Sequence, residues 1–111
     1  SANAGADVLK RVLPIVDDFD GAAATLPDEL KSQPWGNGVM LVHRKLTSLL
    51  EQSNVKPIAA NPGDAFDPNL HEAITHEESA DIESGHIIGE VARGYKLGER
   101  VLRPAMVRVA K

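Results

Sequence analysis

The sequence contains no cysteine, which excludes a disulfide framework, a thiolate metal site and a cysteine nucleophile. No run approaches the roughly 20 apolar residues of a membrane-spanning helix, and no secretory pattern opens the chain. Both absences predict a soluble protein with no membrane partner. There is no basic surplus either: 12 lysines and arginines stand against 16 aspartates and glutamates, a formal net charge of −4. A dedicated nucleic-acid binder needs cationic excess to neutralise phosphate, so that class is disfavoured and only a local basic patch remains open. No glycine-rich loop opens a helix to cradle phosphate, and no serine or threonine stands in a nucleophile-elbow context. Internal repeats and low-complexity tracts are also missing. At 111 residues the chain has room for one ordinary domain or two small modules.

Two amphipathic patterns fill the first half. Leu9, Val12, Val16, Phe19, Ala23 and Leu26 recur at alternating spacings of three and four, which defines a helical seam; Val8, Leu13, Ile15 and Ala22 widen it. Pro14 lies inside this pattern and removes the hydrogen bond to Lys10, so a kink or an interruption is expected there. Pro27 to Gln33 reads as a connection, with Pro27 stopping the first helix and Ser32 as candidate N-cap of the next. Trp35, Val39, Val42, Leu46 and Leu49 then form a second seam. A helical hairpin covers only part of two such stripes, which predicts a homodimeric four-helix bundle over residues 1–53.

Residues 54–111 read as a small, mainly antiparallel β-domain, giving an α+β chain. Val55 to Ala60 is a short apolar run before the turn cluster Asn61-Pro62-Gly63-Asp64, and Leu70 to His76 follows a second turn at Asp67-Pro68-Asn69. Glu77 to Gly85 is acidic and turn-like. From Gly85 to Lys111 two or three short antiparallel strands are expected. Ile87, Val91 and Tyr95 would share one face, with Ile88, Glu90 and Ala92 on the other. Gly98-Glu99 suits a two-residue II′ hairpin loop, and Pro104 marks a bulge, a strand start or an edge.

Candidate chemistry is sparse. His71 and His76 are five apart, not the four that bring two histidines to one metal on a helix, and on a strand five residues separate opposite faces. One buried, hydrogen-bonded histidine and one at the surface is the simpler expectation, and no metal or cofactor is called for. The carboxylates of Asp17, Asp18 and Asp20 lie on a helix's polar side, and those of Glu77 and Glu78 in a loop. Neither group is a pair held across a substrate, so an enzyme is not expected. The basic set Arg93, Lys96, Arg100, Arg103 and Arg108 reads as charged strand edges or as a docking surface. A small dimeric RNA-binding β-module using this hairpin is the alternative, although Tyr95 alone is available for stacking.

Three blocks carry a resemblance. Gly94-Tyr95-Lys96-Leu97 with Arg100-Val101-Leu102-Arg103-Pro104-Ala105-Met106-Val107, then Phe66-Asp67-Pro68-Asn69-Leu70-His71-Glu72-Ala73-Ile74, and Leu13-Pro14-Ile15-Val16-Asp17-Asp18-Phe19-Asp20 resemble, in family order, motifs of the GrpE family. That resemblance implies a cytoplasmic co-chaperone: a homodimer that docks on the ATPase domain of a DnaK-type chaperone, opens its nucleotide cleft and lets ADP leave. It also implies a long paired helix upstream of residue 1. The contact residues it implies are Phe66, Pro68, Val91, Arg100 and Val109. Pro68 and Arg100 match the motifs, whereas Phe66, Val91 and Val109 match in apolar character. Gly21-Ala22-Ala23-Ala24 departs from the family, which often has a basic residue and a leucine there. The bundle residues Leu9, Val12, Val16, Phe19, Trp35, Val39, Val42, Leu46 and Leu49 would hold the dimer.

Overall fold

The computed structural model describes residues 2–111; Ser1, where the expected 1–53 region begins, and the side chains of Ala2 and Asn3 lie outside the described residues. The chain is α+β and divides into two compact units, one ending at Asn54 and the other running from Val55 to Lys111.

The first unit comprises α1 (Ala2–Thr25), α2 (Asp28–Lys31) and α3 (Pro34–Gln52). Helix α1 continues through Pro14. That residue is exposed, so the Lys10 carbonyl left without its amide partner lies on a face water can reach. The short α2 occupies what reads in sequence as plain connection. Ser32 closes α2 instead of opening α3, its Oγ donating to the Glu29 carbonyl at 3.0 Å. Gln33 is the true N-cap of α3, and Pro34 follows at the first helical turn, where a missing N–H costs nothing and a fixed φ helps.

The buried line of α1 also differs from the expected seam. Ala6, Leu13, Val16 and Ala23 are the buried residues, with half-buried Leu9 and Asp20 completing the spacing. Val12, Phe19 and Leu26 flank this line, half-buried. The shift has a physical cause at Asp20. A carboxylate breaks an apolar stripe on paper, yet here His43 of α3 meets it at 2.7 Å, so it can sit between the helices with a partner. Phe19 stacks on the same imidazole, ring centroids 5.4 Å apart.

The second unit holds β1 (Val55–Pro57), β2 (His71–Glu77), β3 (Ile87–Ala92), β4 (Tyr95–Leu97), β5 (Arg100–Arg103) and β6 (Ala105–Ala110). They form two three-stranded sheets, ordered β1-β4-β5 and β2-β6-β3. Ladders β1–β4, β4–β5 and β3–β6 are antiparallel, while β2–β6 is parallel. The expected first strand stops at Pro57 instead of Ala60. The next amide, of Ile58, still donates in register to the Gly94 carbonyl at 2.9 Å, at the corner where β4 begins.

Alternation along β6 buries Ala105, Val107 and Val109. With Ile58, Ala60 and Ile87 they make the core, against which Phe66, Leu70, Ala73 and Val101 pack. The Gly85 to Lys111 stretch carries four strands, more than expected, because the chain changes sheet at two corners. One is Arg93-Gly94, between β3 and β4; the other is Pro104, between β5 and β6. Gly94 has no room for a side chain: a Cβ there would run into the backbone of Pro104 and Ala105. The β4–β5 loop is Gly98-Glu99, and Gly98 adopts φ +60°, as a II′ turn requires at its first central position.

Candidate partner-docking surfaces

Within the β-unit, the outer face of the β2-β6-β3 sheet carries the most distinctive surface. The alternation that buries Val107 and Val109 turns Met106 and Arg108 to the other side. Met106 has Glu72 of β2 and Ala92 of β3 as its cross-strand partners. Ile74, Val91 and Met106 are 42%, 55% and 37% exposed, large apolar side chains that the unit itself leaves uncovered. Val91 does not share a face with Ile87 and Tyr95 as its spacing suggested. Register shifts between Ile87 and Gly89 and between Glu90 and Ala92 break the alternation, so Ile87 and Tyr95 are buried and Val91 is turned out.

Beside this apolar strip lies a fixed ion pair. Arg108 Nε and Nη2 donate to the Glu77 carboxylate at 2.8 and 2.9 Å, and Thr75 Oγ1 donates to the same group at 2.7 Å. These hydrogen bonds, Arg108's first, hold the Glu77 carboxyl down at about 2, and the same pairing raises the guanidinium of Arg108. Both side chains are more than a third exposed, so solvent screens the pair and its worth lies in orientation more than stability.

The turn before β2 shows why its motif reads Phe-Asp-Pro-Asn-Leu-His. The Asp67 carbonyl accepts from the amides of Leu70 and His71, and its Oδ1 accepts from the amide of Asn69 at 2.9 Å. The amide of Asp67 donates to His71 Nδ1 at 2.9 Å, while His71 Nε2 donates to the Ala59 carbonyl at 2.8 Å. His71 is therefore a buried girder with both ring nitrogens engaged, and His76 is exposed. This knot holds Pro68 outward at the turn's exposed corner.

The five implied contact residues separate accordingly. Pro68, Val91 and Arg100 are exposed. Phe66 packs on the β-core, its ring centroid 5.9 Å from that of His71. Val109 is only 3% exposed, because β6 is the central strand of its sheet and this position faces the core. The exposure of Ile74 and Met106 was not anticipated. For Met106 the alternation with Val107 and Val109 was the available signal; for Ile74 a bulge between Ala73 and Thr75 left none.

Three of the basic set are engaged within the unit. Arg108 is tied to Glu77, Arg93 lies 3.9 Å from Glu90, and Arg103 donates to the Arg93 carbonyl. Tyr95, on which the RNA alternative depended for stacking, is 3% exposed beneath Arg103. That reading has lost its platform.

The helical unit has a surface of its own. Trp35, Val42 and Leu49 are exposed at seven-residue intervals on α3, as are Val8 and Ile15 on α1. Val39 and Leu46 are half-buried. Phe19, Pro34, Trp35, Gly38, Val39 and Val42 line a groove of about 480 Å³.

Fold and surfaces together define a two-unit α+β protein whose salient surface features are exposed apolar side chains. The family model that matches residues 1–111 is that of GrpE, and the chain belongs to the GrpE family. It is 41% identical over 104 residues to a Protein GrpE of Exiguobacterium sibiricum, covering 94% of this chain and 55% of that one. A Protein GrpE of Staphylococcus aureus strain JH9 is 39% identical over 102 residues, 92% of this chain and 49% of its own length. The chain thus spans about half the length of the curated relatives it matches.

Proposed function

We propose that this chain acts as an adenine-nucleotide exchange factor: a cytoplasmic co-chaperone that docks on the ATPase domain of a DnaK-type chaperone, opens the nucleotide cleft and releases ADP. The observation that carries the reading is the uncovered apolar strip on the outer face of the β2-β6-β3 sheet, centred on Val91 and Met106. Apolar side chains on a rigid sheet suit a protein surface, and Pro68 and Arg100 supply a rigid turn and a charge beside them. Phe66 and Val109 take part from beneath, by fixing the turn and the central strand that present the exposed residues.

No covalent step is needed. A factor that grips the open, empty cleft more tightly than the closed, ADP-filled one shifts the chaperone toward the open state. Linkage makes the effect reciprocal, so ADP expels the factor by the same coupling free energy.

The helical unit serves as a homodimer interface. Trp35, Val42 and Leu49, with Val39 and Leu46 beside them, meet the same stripe of a second copy; Leu9, Val12, Val16 and Phe19 back it from α1. The stripe's seven-residue repeat supports this reading, since that period keeps one face toward a partner helix. The direct test is release of a fluorescent ADP analogue from a DnaK-type chaperone. Val91→Arg should abolish the acceleration while the melting profile stays unchanged, and full acceleration by this variant would remove the strip from the site.

A further inference from the structure

In the β-unit, the Arg93-Gly94 and Pro104 crossings between the two sheets pack directly on each other through the side-chain-free face of Gly94. Over this corner lies Arg103, on β5. Its Nε donates to the Arg93 carbonyl at 2.8 Å, and its guanidinium stands 5.3 Å from the centroid of the Tyr95 ring. Tyr95 is its cross-strand partner, and the β4–β5 ladder shifts register immediately beyond that pair. One planar side chain therefore holds both the carbonyl where the chain leaves one sheet and the first ring of the other.

We propose that Arg103 is a positioning residue for partner docking: it sets the angle between the two sheets, and so the spacing between Val91 on one and Arg100 on the other. The inference rests on the docking reading above. Arginine suits the role because its flat guanidinium can stack on an aromatic face while Nε still reaches a carbonyl in the same plane. Lysine offers a point charge that cannot do both. Arg103 acts here through geometry, not by lending its charge to the partner. The ladder is bulged at this corner, and a side-chain latch there adds to the main-chain bonds of Ile58 to Gly94 and of Ala105 to Leu70.

The test uses the 111-residue chain carrying Arg103→Lys or Arg103→Met, each alone and combined with Arg100→Ala, titrated against the nucleotide-free ATPase domain of a DnaK-type chaperone. Residual dipolar couplings of the backbone amides, measured on the unbound wild type and Arg103→Met, read the angle between sheets without any partner. Each single variant should weaken binding about tenfold, the size of a lost charged hydrogen bond. That loss should shrink below about twofold once Arg100 is already alanine. The couplings of β4 and β5 in Arg103→Met should require an orientation different from the one that fits β2, β3 and β6. Unchanged affinity, full rescue by lysine, an additive loss on Arg100→Ala, or couplings that still fit the wild-type orientation would each overturn the latch. A wild-type chain that fails to bind the chaperone would instead refute the docking reading, with the couplings still deciding the role of Arg103 in holding the angle.

Discussion

Truncating Trp35 is the sharpest probe of the helical unit. The indole is 75% exposed in the single chain, and a tryptophan side chain can bury roughly 150–250 Å². Covering three-quarters of about 200 Å² at roughly 25 cal/mol per Å² gives a ceiling of about 4 kcal/mol on each side of a symmetric interface. Ordering and imperfect packing reduce that figure, and interface tryptophans cost about 2–4 kcal/mol when cut to alanine. With about 2 kcal/mol lost on each protomer, Trp35→Ala weakens the dimer by about 4 kcal/mol, nearly three orders of magnitude in Kd. Sedimentation equilibrium from nanomolar to high micromolar concentration reads this directly. The β-unit is a control within the same molecule, since its core of Ile58, Ile87, Val107 and Val109 does not include Trp35. A dimer constant unchanged within twofold would refute the assignment of the α3 stripe to self-association.

Other expectations follow from the same physics. Gly94→Ala should destabilise the β-unit by about 1–3 kcal/mol, because the new methyl meets backbone atoms that cannot rotate away; urea unfolding followed by β-sheet circular dichroism measures it. His71→Phe puts a larger apolar ring in place of the imidazole and strands the Asp67 amide and the Ala59 carbonyl, and should cost about 2–4 kcal/mol by the same assay. Glu77 is held down at about 2 in the folded chain against an ordinary 4.5. Its contribution is therefore complete above pH 4.5 and is lost as pH falls toward 2; the stability difference between wild type and Glu77→Gln should be flat from pH 5 to 7 and close below pH 4.5. Arg100→Ala should weaken chaperone binding by about 1–3 kcal/mol with an unaltered melting profile, as titration calorimetry beside thermal scans would report.

Much of this fold was legible because local chemistry and tertiary structure agree. The spacing of Leu9 to Leu26 and of Trp35 to Leu49 marks α1 and α3, and Gly98-Glu99 marks a hairpin loop that the structure contains. The failures sit where a side chain does something its type alone does not reveal. Asp20 is a polar residue on the buried line because His43, 23 residues away, meets it, and no local pattern announces that partner. Ser32 looks like a helix start but closes α2, since Pro34 supplies the better opening for α3. Val91 follows Ile87 at strand spacing yet turns outward, because two bulges intervene that no residue type signals. Val109 resembled a contact residue in apolar character, but only the pairing of β6 between β2 and β3 places it in the core. That pairing was not readable either, since its parallel half joins β2 to β6 with three other strands, β3, β4 and β5, between them in the chain.

The measurement closest to the central claim is the affinity of this chain for a DnaK-type ATPase domain with and without bound ADP, read beside the rate at which a fluorescent ADP analogue departs. ADP should depart faster in the presence of the chain, and binding of the chain should weaken when ADP fills the cleft by the same factor that ADP's own affinity falls when the chain is bound. Equal affinity for the empty and the filled ATPase domain, or an ADP departure rate that the chain does not change, would contradict this claim.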